Sequence, residues 1–146
     1  MTRQWNSREN FTSTSISRPH VNVLIVDTSS WISFFHGAHH PELELALKEA
    51  RVILSPIVAA ELASGAQSGV EEKQLKALMT ELKLFEASLD HWLRVGTLRQ
   101  KLAQKGLSIS TPDAHIAQAS LDLEGYLMTE DLVFTKISKL VPLKLL

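Results

Sequence analysis

The chain has 146 residues, 45% of them hydrophobic and 21% charged, with a formal net charge of -1 and no cysteine. That is enough for one globular domain with a real core, and it excludes disulfides and thiolate metal sites. No apolar run reaches the length of a membrane span, and the near-neutral charge argues against tight non-specific binding to a phosphate backbone. An enzyme that holds its substrate through metal ions and a local basic patch stays open. The lack of cysteine fits a reducing compartment.

Residues 1–20 differ from the rest. Seven of the twenty are Ser or Thr, and no hydrophobic period is visible. This segment reads as a flexible tail, with residues 21–146 as the folded domain. Arg3, Arg8 and Arg18 against Glu9 raise a transit peptide, but they share no amphipathic face. An apolar leader core is missing, so secretion is not expected.

Residues 21–26 end in the run Val23-Leu24-Ile25-Val26, typical of a parallel strand buried on both faces. Asp27 follows, placed to cap a helix whose buried face is Trp31, Ile32 and Phe35. Gly37 and Pro41 punctuate the next turn, and residues 42–50 read as a second helix. Residues 52–54 form a short strand, after which Ser55-Pro56 opens a helix that carries Glu61 within an apolar run. A polar helix over 69–82 has Leu75, Leu78, Met79 and Leu82 as its stripe. Residues 84–85 suggest a third strand, and 89–104 a long amphipathic helix ended near Gly106.

Thr111-Pro112-Asp113 then opens another helix, with Thr111 as cap and Asp113 in the first turn. Residues 126–128 form a strand, Thr129-Glu130-Asp131 follows, and a short helical turn runs through Phe134. Residues 141–146 close the sheet as an edge strand, where Pro142 is tolerated. Strands alternating with helices imply an α/β fold with a mostly parallel sheet.

In such a sheet the C-terminal strand ends and the helix N-termini share one rim, where ligands bind. Asp27 and Asp131 are placed on that rim by the strands before them. Asp113 and Glu61 are consistent with it, although spacing alone does not force them there. Each acid also has a plain structural role. Asp27 and Asp131 suit helix caps, Asp113 suits a helix dipole, and Glu61 suits a solvent face beside Ser64. If the four converge, two carboxylates about 4 Å apart repel by roughly 4 kcal/mol at an effective dielectric near 20. A cation would relieve that repulsion. Hard oxygen donors favour Mg²⁺ or Mn²⁺ over zinc, with open positions for a phosphate oxygen and an attacking water.

The order of these residues resembles a known family. Val23 to Asp27 with Thr28-Ser29, then Glu61 in Ser-Pro-Ile-Val-Ala-Ala-Glu-Leu, resembles the opening half of a PIN domain. Leu98-Arg99, Gly106, Ile109, Asp113, Ile116-Ala117, Ala119, Thr129, Asp131 and Phe134 resemble the signature of VapC-type toxins. The likeness spans roughly residues 22–146. It implies a three-layer α/β/α sandwich and an Mg²⁺- or Mn²⁺-dependent endoribonuclease, the toxin of a type II toxin–antitoxin pair.

Carried over, Asp27, Glu61, Asp113 and Asp131 are the acidic cluster. Asp27, Asp113 and Asp131 hold the metal, Thr28 or Ser29 supports Asp27, and Thr129 orients Asp131. The resemblance further implies an RNA substrate (transfer or ribosomal RNA), a homodimer, a cytoplasmic location with no membrane, and a VapB-type antitoxin. The C-terminal segment of that antitoxin wraps the toxin and reaches the site. Two alternatives are a PIN nuclease of RNA processing and a non-catalytic PIN-like binding module. A dehalogenase-type phosphatase is disfavoured because its second Asp would stand where Ser29 does.

Among the remaining residues, His36, His39 and His40 read as a solvated turn rather than a zinc site, and Asp90 and Asp122 as helix-start and surface acids. His115 lies close enough to Asp113 to bear on substrate. Lys101, Lys105, Lys136 and Lys139 read as surface lysines. Trp31, Phe34 and Phe35 suit core or interface, including the docking of a partner helix.

Overall fold

The computed structural model describes residues 23–146, so the tail expected over residues 1–20 lies outside the described residues. Three short hydrophobic runs form the middle of the sheet: β1 (Leu24–Val26), β2 (Val52–Leu54) and β4 (Tyr126–Met128). Side chains alternate between faces along a strand, and all three of β1 are buried, so helices must cover both faces. Two-residue edge strands, β3 (Lys83–Leu84) and β5 (Lys144–Leu145), complete a five-stranded sheet of order β3-β2-β1-β4-β5. Every pairing is parallel. Leu24, Ile25 and Val26 sit opposite Tyr126, Leu127 and Met128.

The helices are α1 (Thr28–Phe35), α2 (Pro41–Lys48), α3 (Pro56–Gly65), α4 (Gly69–Glu81), α5 (Leu89–Gln104), α6 (Thr111–Asp122) and α7 (Leu132–Ser138). Ser55 caps α3 through its hydroxyl, which accepts the Ile57 and Val58 N–H groups. Gly106, at φ +87°, follows the end of α5, a backbone state that glycine adopts without strain. Gly125 serves a different need, because a Cβ there would stand 2.9 Å from the Val23 carbonyl oxygen.

Several local readings need correction. Ser110, not Thr111, caps α6; its hydroxyl accepts the Asp113 N–H, and Thr111 is already helical. In α1 only Ser30 and Trp31 are buried, while Ile32 and Phe35 are 45% and 40% exposed. They line an open hollow with Leu62 and Leu75 instead of entering the core. The second helix ends at Lys48, before Ala50 turns to φ 54°. The turn after Asp131 is a full helix to Ser138, and the last strand shortens to residues 144–145.

Candidate active site

The strand order locates the site. From β1 the chain builds outward through β2 to β3, then returns to lay β4 on the other side of β1. The loops after β1 and β4 therefore diverge, leaving a crevice at their C-terminal ends, where α/β sheets bind ligands. Asp27 stands at the end of β1, and Asp131 lies just past β4.

Asp27 holds the N-cap position of α1, yet its side chain makes no capping hydrogen bond. Its Oδ2 instead accepts the Thr129 hydroxyl at 2.9 Å and the Ser29 hydroxyl at 3.1 Å. The two hydroxyls also fix the facing loop. Thr129 Oγ1 accepts the Asp131 N–H, and Ser29 Oγ accepts the Glu130 N–H, both at 3.0 Å. Both supporting bonds thus converge on one oxygen of Asp27, and among the described residues no hydrogen bond engages Oδ1. Asp27 is 7% exposed, so its orientation is set by the protein rather than by solvent.

Asp131 does cap its helix, accepting the Val133 N–H at 3.0 Å through Oδ1. Glu61 sits on α3 and receives the Thr28 hydroxyl at 3.3 Å. Burial raises the Glu61 pKa. The Thr28 bond opposes that rise, and the charges of Asp27 and Asp113 add to it. Asp113 behaves alike: burial raises its pKa first, the Ser110 hydrogen bond opposes, and Asp131 and Asp27 push it further up. Asp113 is therefore within electrostatic reach of Asp27 and Asp131, and Glu61 within reach of Asp27 and Asp113.

Among the described residues, no three Asp, Glu or His side chains stand close enough to enclose one ion directly. The donor set nonetheless fits a hard divalent cation. It consists of oxygens alone, burial and then neighbouring carboxylates raise the pKa of two of its members, Glu61 and Asp113, and Mg²⁺ characteristically keeps several waters while using few carboxylates.

His115 does not face this crevice. It is fully buried, bonded to Ser55 and His91. Asp122 is not a free surface acid either, since Arg94, Gln118 and His91 all donate to it. Nothing local in the sequence signals this network, because its members come from two separate helices and the residue that follows β2.

The family model described as PIN domain matches residues 24–140. The chain belongs to the PIN-domain family. This PIN domain is similar to ribonuclease VapC2 of Rickettsia felis, at 29% identity over 109 residues that cover 71% of the chain and 81% of that relative. A solved structure of VapBC2 from Rickettsia felis, bound to a DNA fragment from their promoter, matches with a TM-score of 0.62 at 27% identity, covering 85% of this chain and 97% of that one. DNA-bound VapBC from Salmonella typhimurium matches with a TM-score of 0.68 at 21% identity over 85% and 96% of the two chains, a likeness of fold. Within this PIN domain Asp27 and Asp131 stand just past the ends of the two strands where the strand order reverses.

Proposed function

We propose that this PIN domain is a Mg²⁺- or Mn²⁺-dependent endoribonuclease, the toxin of a VapBC-like type II toxin–antitoxin pair. One observation carries the reading: Asp27 and Asp131 flank the β1/β4 crevice, where their charges add to the effect of burial in raising the proton affinity of Asp113, as those of Asp27 and Asp113 do for Glu61. Such repulsion is stored where a cation is to bind. Asp27, Asp113 and Asp131 would hold the metal, with Glu61 beside them. When bound, the metal polarises a phosphodiester oxygen and makes water a stronger nucleophile. Ser29 and Thr129 keep Asp27 aimed, and Thr28 holds Glu61. The similarity to ribonuclease VapC2 supports RNA as the substrate.

The VapBC complexes among similar structures support a VapB-type antitoxin as partner. A hollow of about 390 Å³ runs from Ile32, Phe35 and Leu75 to Glu61. An apolar antitoxin segment seated there would reach the acids, by the helix-in-groove mode. Among the described residues no helix is long and apolar enough to cross a membrane. A cytoplasmic location and a homodimer complete the reading.

The test is induced expression of wild type beside Asp113→Asn, following growth and cellular RNA together. Arrest and a discrete cleaved RNA from the wild type alone support a toxin. RNA cleavage without arrest moves the chain to RNA processing. A folded chain that neither cleaves RNA nor binds Mn²⁺ is a binding module.

A further inference from the structure

A line of four polar side chains crosses the interior. Asp122 Oδ2 meets His91 Nδ1 at 2.9 Å, His91 Nε2 meets His115 Nδ1 at 2.7 Å, and His115 Nε2 meets the Ser55 hydroxyl at 2.8 Å. Ser55, His91 and His115 are each no more than 1% exposed. Burying so many polar groups is unfavourable unless each is satisfied.

One assignment of protons satisfies all of them. Asp122 is an acceptor, held by two bonds from Arg94 and one from Gln118, so His91 Nδ1 donates to it. His91 Nε2 then accepts from His115 Nδ1–H, and His115 Nε2 accepts from the Ser55 O–H. At the far end Ser55 Oγ accepts the Ile57 and Val58 N–H groups that open α3. Reversing the chain would leave the Ser55 proton with no acceptor. The imidazoles are also held as rings: Trp92 stacks on His115 at 4.8 Å, and Phe85 meets His91 edge-on at 4.8 Å.

The line joins the two helices that carry acids. His115 stands on α6 one short step from Asp113, and Ser55 opens α3, which carries Glu61. We propose that His115 is a positioning residue: through Ser55 it fixes α3 on α6 and so sets where Glu61 stands opposite Asp113. A leucine at His115 would fill similar space, but it would leave the Ser55 O–H and His91 Nε2 without their partner and the two helices free to slide. The kinetic part of this inference rests on the nuclease reading; the geometric part does not.

The test uses the full chain with spin labels on Ala63→Cys in α3 and Thr111→Cys in α6, both exposed positions in a protein without native cysteine. The distance distribution between the labels is measured by pulsed electron resonance, without metal or RNA. His115→Leu is expected to broaden or shift it, Ser55→Ala to do the same, and the double variant to add nothing further. RNA cleavage by His115→Leu is expected to lose about 10- to 100-fold in kcat, the range of supporting-residue losses, with KM held. Leu102→Ala, a buried change on α5, is the control that lowers stability while leaving the distance unchanged. An unchanged distance in His115→Leu, an equal shift in Leu102→Ala, or additive single effects would overturn the inference. If the wild type cleaves no RNA, the nuclease reading fails, and the label distance still decides the role of His115.

Discussion

Thr129 donates its hydroxyl to Asp27 at 2.9 Å, although 102 positions separate them in the chain. The same oxygen accepts the Asp131 N–H, so one side chain orders an acid on each side of the crevice. Thr129→Val keeps the shape and removes both bonds. Its RNA cleavage is expected to fall about 10- to 100-fold, with weaker Mn²⁺ binding. Thr129→Ser should restore most of it. Cleavage rates of the purified variants decide, and a fully active valine variant would deny Thr129 its role.

Asp113 gives a stability prediction of opposite sign to its effect on activity. Its folded pKa lies above the usual carboxylate value, through burial first and then the charges of Asp131 and Asp27. Such a group favours the fold when protonated, and that support is lost as pH rises through the folded pKa. Asp113→Asn should therefore melt no lower than wild type at pH 7.5 without metal, and somewhat higher, while losing RNA cleavage. Thermal scans with and without Mn²⁺ test this, since the metal should raise the melting temperature of the wild type alone.

The same repulsion bears on metal affinity. Glu61 and Asp113 hold protons to a higher pH than free carboxyls, because of burial and neighbouring acids. Mn²⁺ binding should weaken, on acidification, before ordinary carboxylates would protonate, and should release protons near that pH. Calorimetry in buffers of different ionisation enthalpy measures the proton count. Binding that is indifferent to pH in that range would exclude these two acids from the site.

His115 sets a second pH window. Burial first, and His91 beside it, lower its pKa from 6.5 to about 4. The unfolded chain takes up that proton below 6.5 and the folded chain does not, so stability is complete above 6.5 and declines as pH falls toward 4. At the lower end the loss is about 3 kcal/mol, at 1.36 kcal/mol per pKa unit. Melting temperatures between pH 8 and 4 should show this fall. A flat profile across that span would mean that the imidazole is not held neutral.

Gly125 tests the packing at the start of β4. A methyl group there meets the Val23 carbonyl oxygen at 2.9 Å, which the backbone must move to relieve. Gly125→Ala should destabilise by about 1–3 kcal/mol, the usual range for overpacking, read as a lowered melting temperature.

Some of this was legible in the chain itself. The strands at 24–26, 52–54 and 126–128 announce themselves as short hydrophobic runs, and Asp27 and Asp131 follow from where those runs end. What α1 buries is not legible in the same way, because periodicity identifies an apolar face without saying whether anything covers it. Ile32 and Phe35 fit the pattern and still border an open hollow. The crevice depends on β4 returning beside β1, a pairing with no local mark. The bond between His91 and His115 is hidden for the same reason: each histidine alone looks like any other on a helix, and only their packing makes them partners.

The sheet's two margins carry a consequence for recognition. Both outer strands are two residues long, and each contributes a lysine, Lys83 and Lys144. Lys144 folds back to donate to the Glu124 carbonyl and lies over the Tyr126 ring. An incoming extended peptide would find almost no backbone ladder to join, and positive charge at the place of joining. A peptide partner is therefore expected to engage side chains, and to bring its own hydrogen-bonded backbone, as a helix does.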